Sequence, residues 1–354
     1  MIILQKKSGQ GSYINMAAYH GIPRKNCPHG NLLFLPWHRM YIFLFEQALR
    51  SIDNTVALPY WDWTSPESLQ EGLSKAHSDE EFEDTGRKPN PLAAGPMYQL
   101  TRLTNRNPGK VRSLTGYRNN VNTAFATSTN YTQFNFAIEA PHGDIHTWIR
   151  GDMGTPAYAA YDPVFWSHHA NVDRQWAIWQ KLHPQEQLPP DLLHTKLPAF
   201  GDKTVESVIR FEEQLKYIYD DLQPSMVRTT IEPYEKLTAS IKSRFFVKID
   251  GIERAGESYL VDLFVEDRTS GAETYGGSFG IFGMAGMHRD HDGGHAITKE
   301  HSFKQVRLID ITDAVNYLKI PADAVQINLK ATNLTGDVVK QKDMPIGEIK
   351  AISL

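Results

Sequence analysis

Six of this chain's 14 histidines fall into two trios whose residue type and spacing could do metal chemistry. The first trio is His20, His29 and His38; the second is His142, His146 and His169. Neutral imidazole nitrogens suit copper, zinc, iron or nickel and do not suit magnesium or calcium. Each trio could hold one ion, and two such trios point to a paired-metal centre, which is catalytic far more often than structural. Residues nine apart do not return to one face of a helix, so the first trio must be assembled from separate elements. His142 and His146 stand at i and i+4, one turn apart on a helical face, where two rings can share an ion. That spacing alone also serves zinc, and a lone buried histidine is usually a hydrogen-bonded core residue. The signal lies in six together.

The elements that must position these residues change character along the chain. Up to about residue 240 the pattern is mainly helical with long loops. His38 to Asp53 places Ile42, Phe45, Leu49 and Ile52 at helical intervals, and His168 to Leu182 does the same with Val172, Trp176 and Trp179. A further helix is predicted over Thr204 to Asp221, from Val208, Phe211, Leu215 and Ile218. From Ser243 onward the period shortens to that of strands, at Phe245–Ile249, Tyr259–Val265, Val306–Ile311 and Val325–Lys330. Short strands with turns between them predict an antiparallel β-sandwich. The chain therefore divides into a mainly α domain, residues 1–238, and a C-terminal β-sandwich domain, residues 239–354, with the boundary between Pro233 and Ser243.

Bulk composition narrows the function classes. A net charge of −4 gives no electrostatic footprint for nucleic acid or an anionic membrane. No run of apolar residues is long enough to span a bilayer, and the first residues lack a signal-peptide core. A soluble protein is expected, cytoplasmic or exported with its signal removed, and its oligomeric state is left open. The single cysteine, Cys27, excludes an intramolecular disulfide framework.

Two segments carry a family resemblance. Trp37-His38-Arg39-Met40-Tyr41, with Glu46 eight residues after His38, resembles the first copper motif of the type-3 copper proteins: tyrosinases, catechol oxidases and molluscan hemocyanins. Asp162-Pro-Val-Phe165-Trp-Ser-His168-His169-Ala-Asn171-Val-Asp173-Arg174-Gln-Trp176 resembles their second motif almost residue for residue. The likeness is strong over residues 13–182 and weak beyond. It implies a four-helix-bundle core binding two copper ions, with all six histidines as ligands and His169 rather than His168 in the second set. Cys27-Pro28-His29 matches the pair that forms a thioether in fungal and molluscan members. Asn171 and Asp173 are then candidates to hold a ligand ring or, through Arg39, to tie the two motif helices together.

The resemblance also implies the reaction, in which dioxygen oxidises o-diphenols to o-quinones. Glu139 matches the acidic residue that holds a water as base for the phenol proton. Gly143 stands where efficient monophenol hydroxylases carry asparagine, so diphenol oxidation should dominate and tyrosinase activity be weak. Gly143 and Phe165 are expected in the substrate pocket, with Pro156 at an open mouth. Within Gly277–Gly283, Phe282 is the first candidate for a side chain plugging the copper pocket and Phe279 the next. Met284, Met287, His288, His291 and His295 read as a polar surface loop or a route for copper from a delivery partner. Pro59-Tyr60-Trp61-Asp62-Trp63 is expected in the core near the first copper. The competing class is a reversible dioxygen carrier like hemocyanin, disfavoured because carriers string many such units together. A di-zinc hydrolase fits less well, since hydrolytic pairs normally include carboxylate ligands.

Overall fold

The structure, a computed structural model, describes residues 11–84, 86–222, 244–285, 287, 305–340 and 343–353. Helix α1 spans Tyr13–His20, where Ser12 Oγ accepts the Asn15 N–H. Helix α2 spans Phe34–Arg50 and begins a turn before His38. Pro36 sits in its first turn, where a missing N–H costs nothing. Helix α3 runs Ser113–Thr127 and α4 Tyr131–Ile149, the latter capped by Asn130 Oδ1 on the Gln133 N–H. Helix α5 runs Val164–Leu182, its start fixed by Asp162 Oδ1 accepting the Val164 N–H. No helix among the described residues is long and apolar enough to cross a membrane.

The apolar faces of these helices bury one aromatic-rich cluster that includes Phe34, Trp37, Tyr41, Trp148, Phe165 and Trp166. Phe45 and Trp166 stack at 3.7 Å across it. At one end Arg39 of α2 donates to Asp173 of α5 at 2.6 Å, with both side chains buried. The guanidinium lies 3.6 Å over Trp176, and Asp173 also accepts from the Tyr217 and Tyr219 hydroxyls. Those added partners are what a desolvated ion pair requires.

The helix expected over Thr204 to Asp221 is instead two single turns, Glu206–Ile209 and Phe211–Gln214, broken at Arg210 and followed by Lys216 at φ +59°. Val208, Phe211 and Leu215 are buried as the spacing implied, whereas Ile218 is exposed, and the segment's carbonyls are diverted. Val208 O accepts from Arg39 and Ile209 O from Gln180, so tertiary donors replace the helical ladder.

Besides a small hairpin of β1 (Glu81–Asp84) and β2 (Gly86–Pro89), the strands lie in the C-terminal part. They are β3 Phe245–Ile252, β4 Tyr259–Asp267, β5 Glu273–Ile281, β6 Gln305–Asp310, β7 Val325–Asn333, β8 Val338–Val339 and β9 Ile349–Ser353. One antiparallel sheet has the order β6-β3-β9 and the other β5-β4-β7-β8, and both contribute to one buried cluster. Phe279 belongs to that cluster, so this second plug candidate is a sheet-core residue. The expected boundary between Pro233 and Ser243 lies outside the described residues.

Strand β5 docks on α4. The Gly280 N–H donates to Asp144 Oδ1 at 2.7 Å, and Arg307 of β6 donates to Gly280 O and Ala140 O. A Cβ on Gly280 would stand 1.8 Å from Thr147 Oγ1, so only glycine permits this approach.

Removing Asp173 would leave the buried Arg39 charge without its carboxylate. Asp173→Ala is expected to lower the unfolding free energy by about 3–5 kcal/mol, read as a shift in the urea midpoint by circular dichroism. A shift no larger than that of a surface substitution would contradict the role given to this pair.

Candidate metal centre

His20 ends α1, His29 lies on the loop before α2, His38 sits one turn into α2, His142 and His146 share a face of α4, and His169 lies in α5. All six are buried. One ring nitrogen from each of His20, His29 and His38 and the Cys27 sulfur lie within 4.8 Å of one another, as does one ring nitrogen from each of His142, His146, His168 and His169. The two groups face each other, with His38 and His169 stacked at 4.2 Å and His29 and His142 at 5.6 Å.

Four of the rings share one hydrogen-bond pattern. Nδ1 meets a backbone carbonyl in His20 (Pro156 O, 3.1 Å), His38 (Phe34 O, 2.8 Å), His142 (Glu139 O, 3.3 Å) and His146 (Met153 O, 2.8 Å). A proton on Nδ1 leaves the Nε2 lone pair for a metal, and the carbonyl fixes the ring's orientation. Nε2 of His20 and of His142 is buried with no hydrogen-bond partner among the described residues. Nε2 of His146 meets only His169 Nε2, at 3.4 Å. Buried polar atoms are seldom left unpaired without a functional reason.

Burial first, then the other rings, hold His20, His142, His168 and His169 well below the usual imidazole range. For His29 burial is followed by the nearby Arg254 charge. His38 and His146 are lowered to about 3, chiefly by burial and against the pull of their carbonyl hydrogen bonds. Neutral rings with free Nε2 atoms are the form that binds copper or zinc, so these residues fit a pair of such ions.

Several expected residues take parts that the sequence did not show. His168 was expected as a bystander, yet its ring lies 5.2 Å from His142 and 4.8 Å from His146, with neither nitrogen hydrogen-bonded. Adjacent α5 residues reach the same cluster because the α4 pair offers two rings side by side. His169 alone of the two also stacks on the first trio. Of the two parts expected for Asn171 and Asp173, neither holds a ligand ring; Asp173 makes the expected tie to Arg39 and adds two tyrosines, and Asn171 Oδ1 accepts from Arg174. Pro156, expected at an open mouth, is buried, and its carbonyl is the one that meets His20. Trp63 lies 6.2 Å from His168, which puts its motif beside the second trio rather than the first.

Other candidates fall around the cluster. Phe165 packs 4.2 Å from His169 and 4.8 Å from His20. The Cys27 sulfur is 3.4 Å from His29 Nδ1, 3.7 Å from His29 Nε2 and 3.2 Å from His38 Nε2. Glu139 accepts the Gly30 N–H at 2.9 and 3.0 Å and the Arg254 guanidinium at 2.6 Å. Phe282 is buried and stacks on His146 at 4.4 Å. A Cβ on Gly143 would lie 3.1 Å from the Phe282 Cβ, so the missing side chain makes room for that ring. His288, His291 and His295 lie outside the described residues. Sequence reasoning missed Arg254; an arginine in a strand connection carries no spacing signal.

Two buried histidine clusters face each other in a helical core, with antiparallel sheets packed on one side, an arrangement that could hold a pair of metal ions. A family model described as the common central domain of tyrosinase matches residues 10–182. "Hemocyanin 1" of Megathura crenulata is 33% identical over 367 residues, covering 91% of this chain and 10% of its own length. Unit D of the Helix pomatia hemocyanin beta-C chain is 33% identical over 216 residues, 54% of this chain and 52% of that protein. Among solved structures, a functional unit from octopus hemocyanin matches with a TM-score of 0.76 at 24% identity, covering 99% of this chain and 93% of that one. A tyrosinase from Burkholderia thailandensis matches with a TM-score of 0.72 at 20% identity, with coverage of 99% and 93%. The chain belongs to the type-3 copper family. It spans 9–10% of the length of the first three hemocyanins it matches.

The depressed histidines set a pH dependence for the metal-free chain. With His38 and His146 near 3 when folded and imidazole at 6.5 otherwise, the unfolded chain binds more protons below 6.5. Stability is therefore full above about pH 6.5 and falls as pH drops toward about 3, by up to about 1.4 kcal/mol per pH unit for each such ring. Urea midpoints of the metal-free protein should decline steadily from about pH 6.5 to pH 4. A flat profile across that interval would refute the assignment of neutral rings.

Proposed function

We propose that the two trios hold a copper pair and that the protein is a latent o-diphenol oxidase, converting catechols to o-quinones with dioxygen once Phe282 leaves the site. The observation that carries this reading is the Phe282 ring stacked on His146 at 4.4 Å. An aromatic ring already seated there is the internal equivalent of a phenol, so the pocket has the shape and apolar walls such a substrate needs. The bound copper pair would supply dioxygen binding and the two-electron exchange. The chain's own residues do the rest.

In this reading a catechol ring takes the place of Phe282 between His146 and the apolar edge of Phe165. Glu139 is the candidate base for the phenolic proton, directly or through a water. Gly143 offers no side chain to orient that water, which favours diphenols over monophenols. The wider frame, a four-helix core with a C-terminal β-sandwich cover beginning near residue 239, belongs to the same proposal, as do small phenols and dioxygen as the partners. A second reading, reversible dioxygen binding, is favoured by the closure itself, because dioxygen is small enough to use a site that a phenol cannot enter while Phe282 is seated.

Copper reconstitution followed by oxidation of 4-methylcatechol separates the two. Phe282→Ala is expected to bind the same two coppers per chain as the unsubstituted protein, and to raise kcat/KM by roughly tenfold or more, the value of a lost stacking contact plus the freed pocket. L-Tyrosine should be turned over far more slowly. A copper-loaded Phe282→Ala protein that binds dioxygen reversibly and leaves catechol untouched would establish the carrier instead.

We also propose a thioether between Cys27 and His29. The sulfur is nearly equidistant from the two nitrogens that flank Cε1. Forming the S–C bond releases the thiol hydrogen and the Cε1 hydrogen, with dioxygen as the two-electron acceptor. Intact mass after copper loading in air should fall by two hydrogens. An unchanged mass together with a titratable Cys27 would remove the cross-link.

A further inference from the structure

The connection between β3 and β4 carries one side chain that reaches into the helical domain. Arg254 is largely buried, and each nitrogen of its guanidinium has its own partner. Nε donates to the Phe282 carbonyl at 2.9 Å, one terminal nitrogen to Glu139 Oε1 at 2.6 Å, and the other lies 3.5 Å from the Met284 sulfur. The backbone repeats the linkage, since the Met284 N–H donates to Arg254 O and the Ala285 N–H to Gly256 O. Ser258 closes the set. Its hydroxyl accepts the Gly283 N–H and donates to Gly154 O, next to Met153, whose carbonyl meets His146.

We propose that Arg254 is the latch of the closed site, a positioning residue that seats the Phe282 segment over the histidines and occupies the Glu139 carboxylate with the same guanidinium. This rests on the reading of Phe282 as the cover given above. The planar fork of arginine can bridge a carbonyl and a carboxylate in fixed directions, which a lysine point charge cannot. Phe282 cannot lift far while its carbonyl is held by Arg254 Nε. Glu139 cannot turn to a substrate proton while its Oε1 is bound. One departure removes both guanidinium restraints and leaves Glu139 held only by the Gly30 N–H, so opening the pocket and releasing the candidate base from its arginine are a single event.

Hydrogen exchange on the full chain, metal-free and copper-loaded, reads the latch without relying on turnover. Arg254→Ala should speed exchange of the Gly280–Ala285 amides by about tenfold or more, the expected result of losing charge-assisted bonds to that segment. Amides of α2 and α5 should stay within about twofold of wild type. Arg254→Lys should fall between, and Glu139→Gln, which leaves Arg254 in place, should loosen the segment less than Arg254→Ala does. In the copper-loaded protein Arg254→Ala should lower KM for 4-methylcatechol more than it changes kcat. The latch is overturned if exchange in 280–285 is unchanged in Arg254→Ala, if it rises equally in every element, or if Glu139→Gln has no effect on it. Should Arg254→Ala fail to fold, the Lys and Gln variants decide the matter alone. Loss of catechol turnover in copper-loaded Phe282→Ala would sink the oxidase reading and leave the exchange result standing.

Discussion

Everything in this molecule follows from burying seven imidazole rings in an aromatic core. A ring in such surroundings cannot afford a proton on both nitrogens, and it cannot be left to turn freely if it is to meet an ion. The fold answers with backbone carbonyls. Phe34, Glu139, Met153 and Pro156 each present an oxygen to one Nδ1, and the opposite nitrogen is left facing the centre. Two of these carbonyls come from the ligand's own helix, one turn or less before the ring. The other two come from the segment between α4 and α5, whose path is thereby part of the site.

The aromatic shell and the Arg39–Asp173 pair are consequences of the same demand. Large rings from α2, α4 and α5 fill the space around the histidines and exclude water, which is what lowers the rings' proton affinity. A centre this dry needs its supporting helices held in register, and the ion pair between α2 and α5 does so from outside the histidine cluster. Its added partners, Trp176, two tyrosines, Gln180 and the Val208 carbonyl, support the two charges where solvent cannot.

The sheet domain meets the centre through β5 and Phe282. Glycine at 280 lets β5 sit against α4, and glycine at 143 leaves room for the Phe282 ring beside His146. In the reading proposed above, the choice between oxidising a phenol and holding dioxygen rests on whether Phe282 leaves His146. The bonds to the Phe282 segment run through the connection between β3 and β4 rather than through the clustered histidines.

Sequence alone determined which histidines to expect together, because metal chemistry dictates residue type and helix geometry dictates spacing. His142 and His146 are a turn apart in any helix, Trp37–Tyr41 with Asp162–Trp176 carry enough local pattern to name the family, and the shorter period after Ser243 places four of the strands. The segment from Thr204 to Asp221 was misread because donors from Arg39 and Gln180 claim its carbonyls, and no local pattern records a distant donor. The same reason hid the part played by Pro156, which acts through a backbone oxygen, and by Arg254, which acts across 115 residues of chain. Only tertiary structure decided that His168 joins its neighbour at the cluster, that Phe279 belongs to the sheets while Phe282 stacks on His146, and that Glu139 is bound by an arginine. Residue type and period are properties of a short stretch, whereas a partner reached through space is a property of the whole fold.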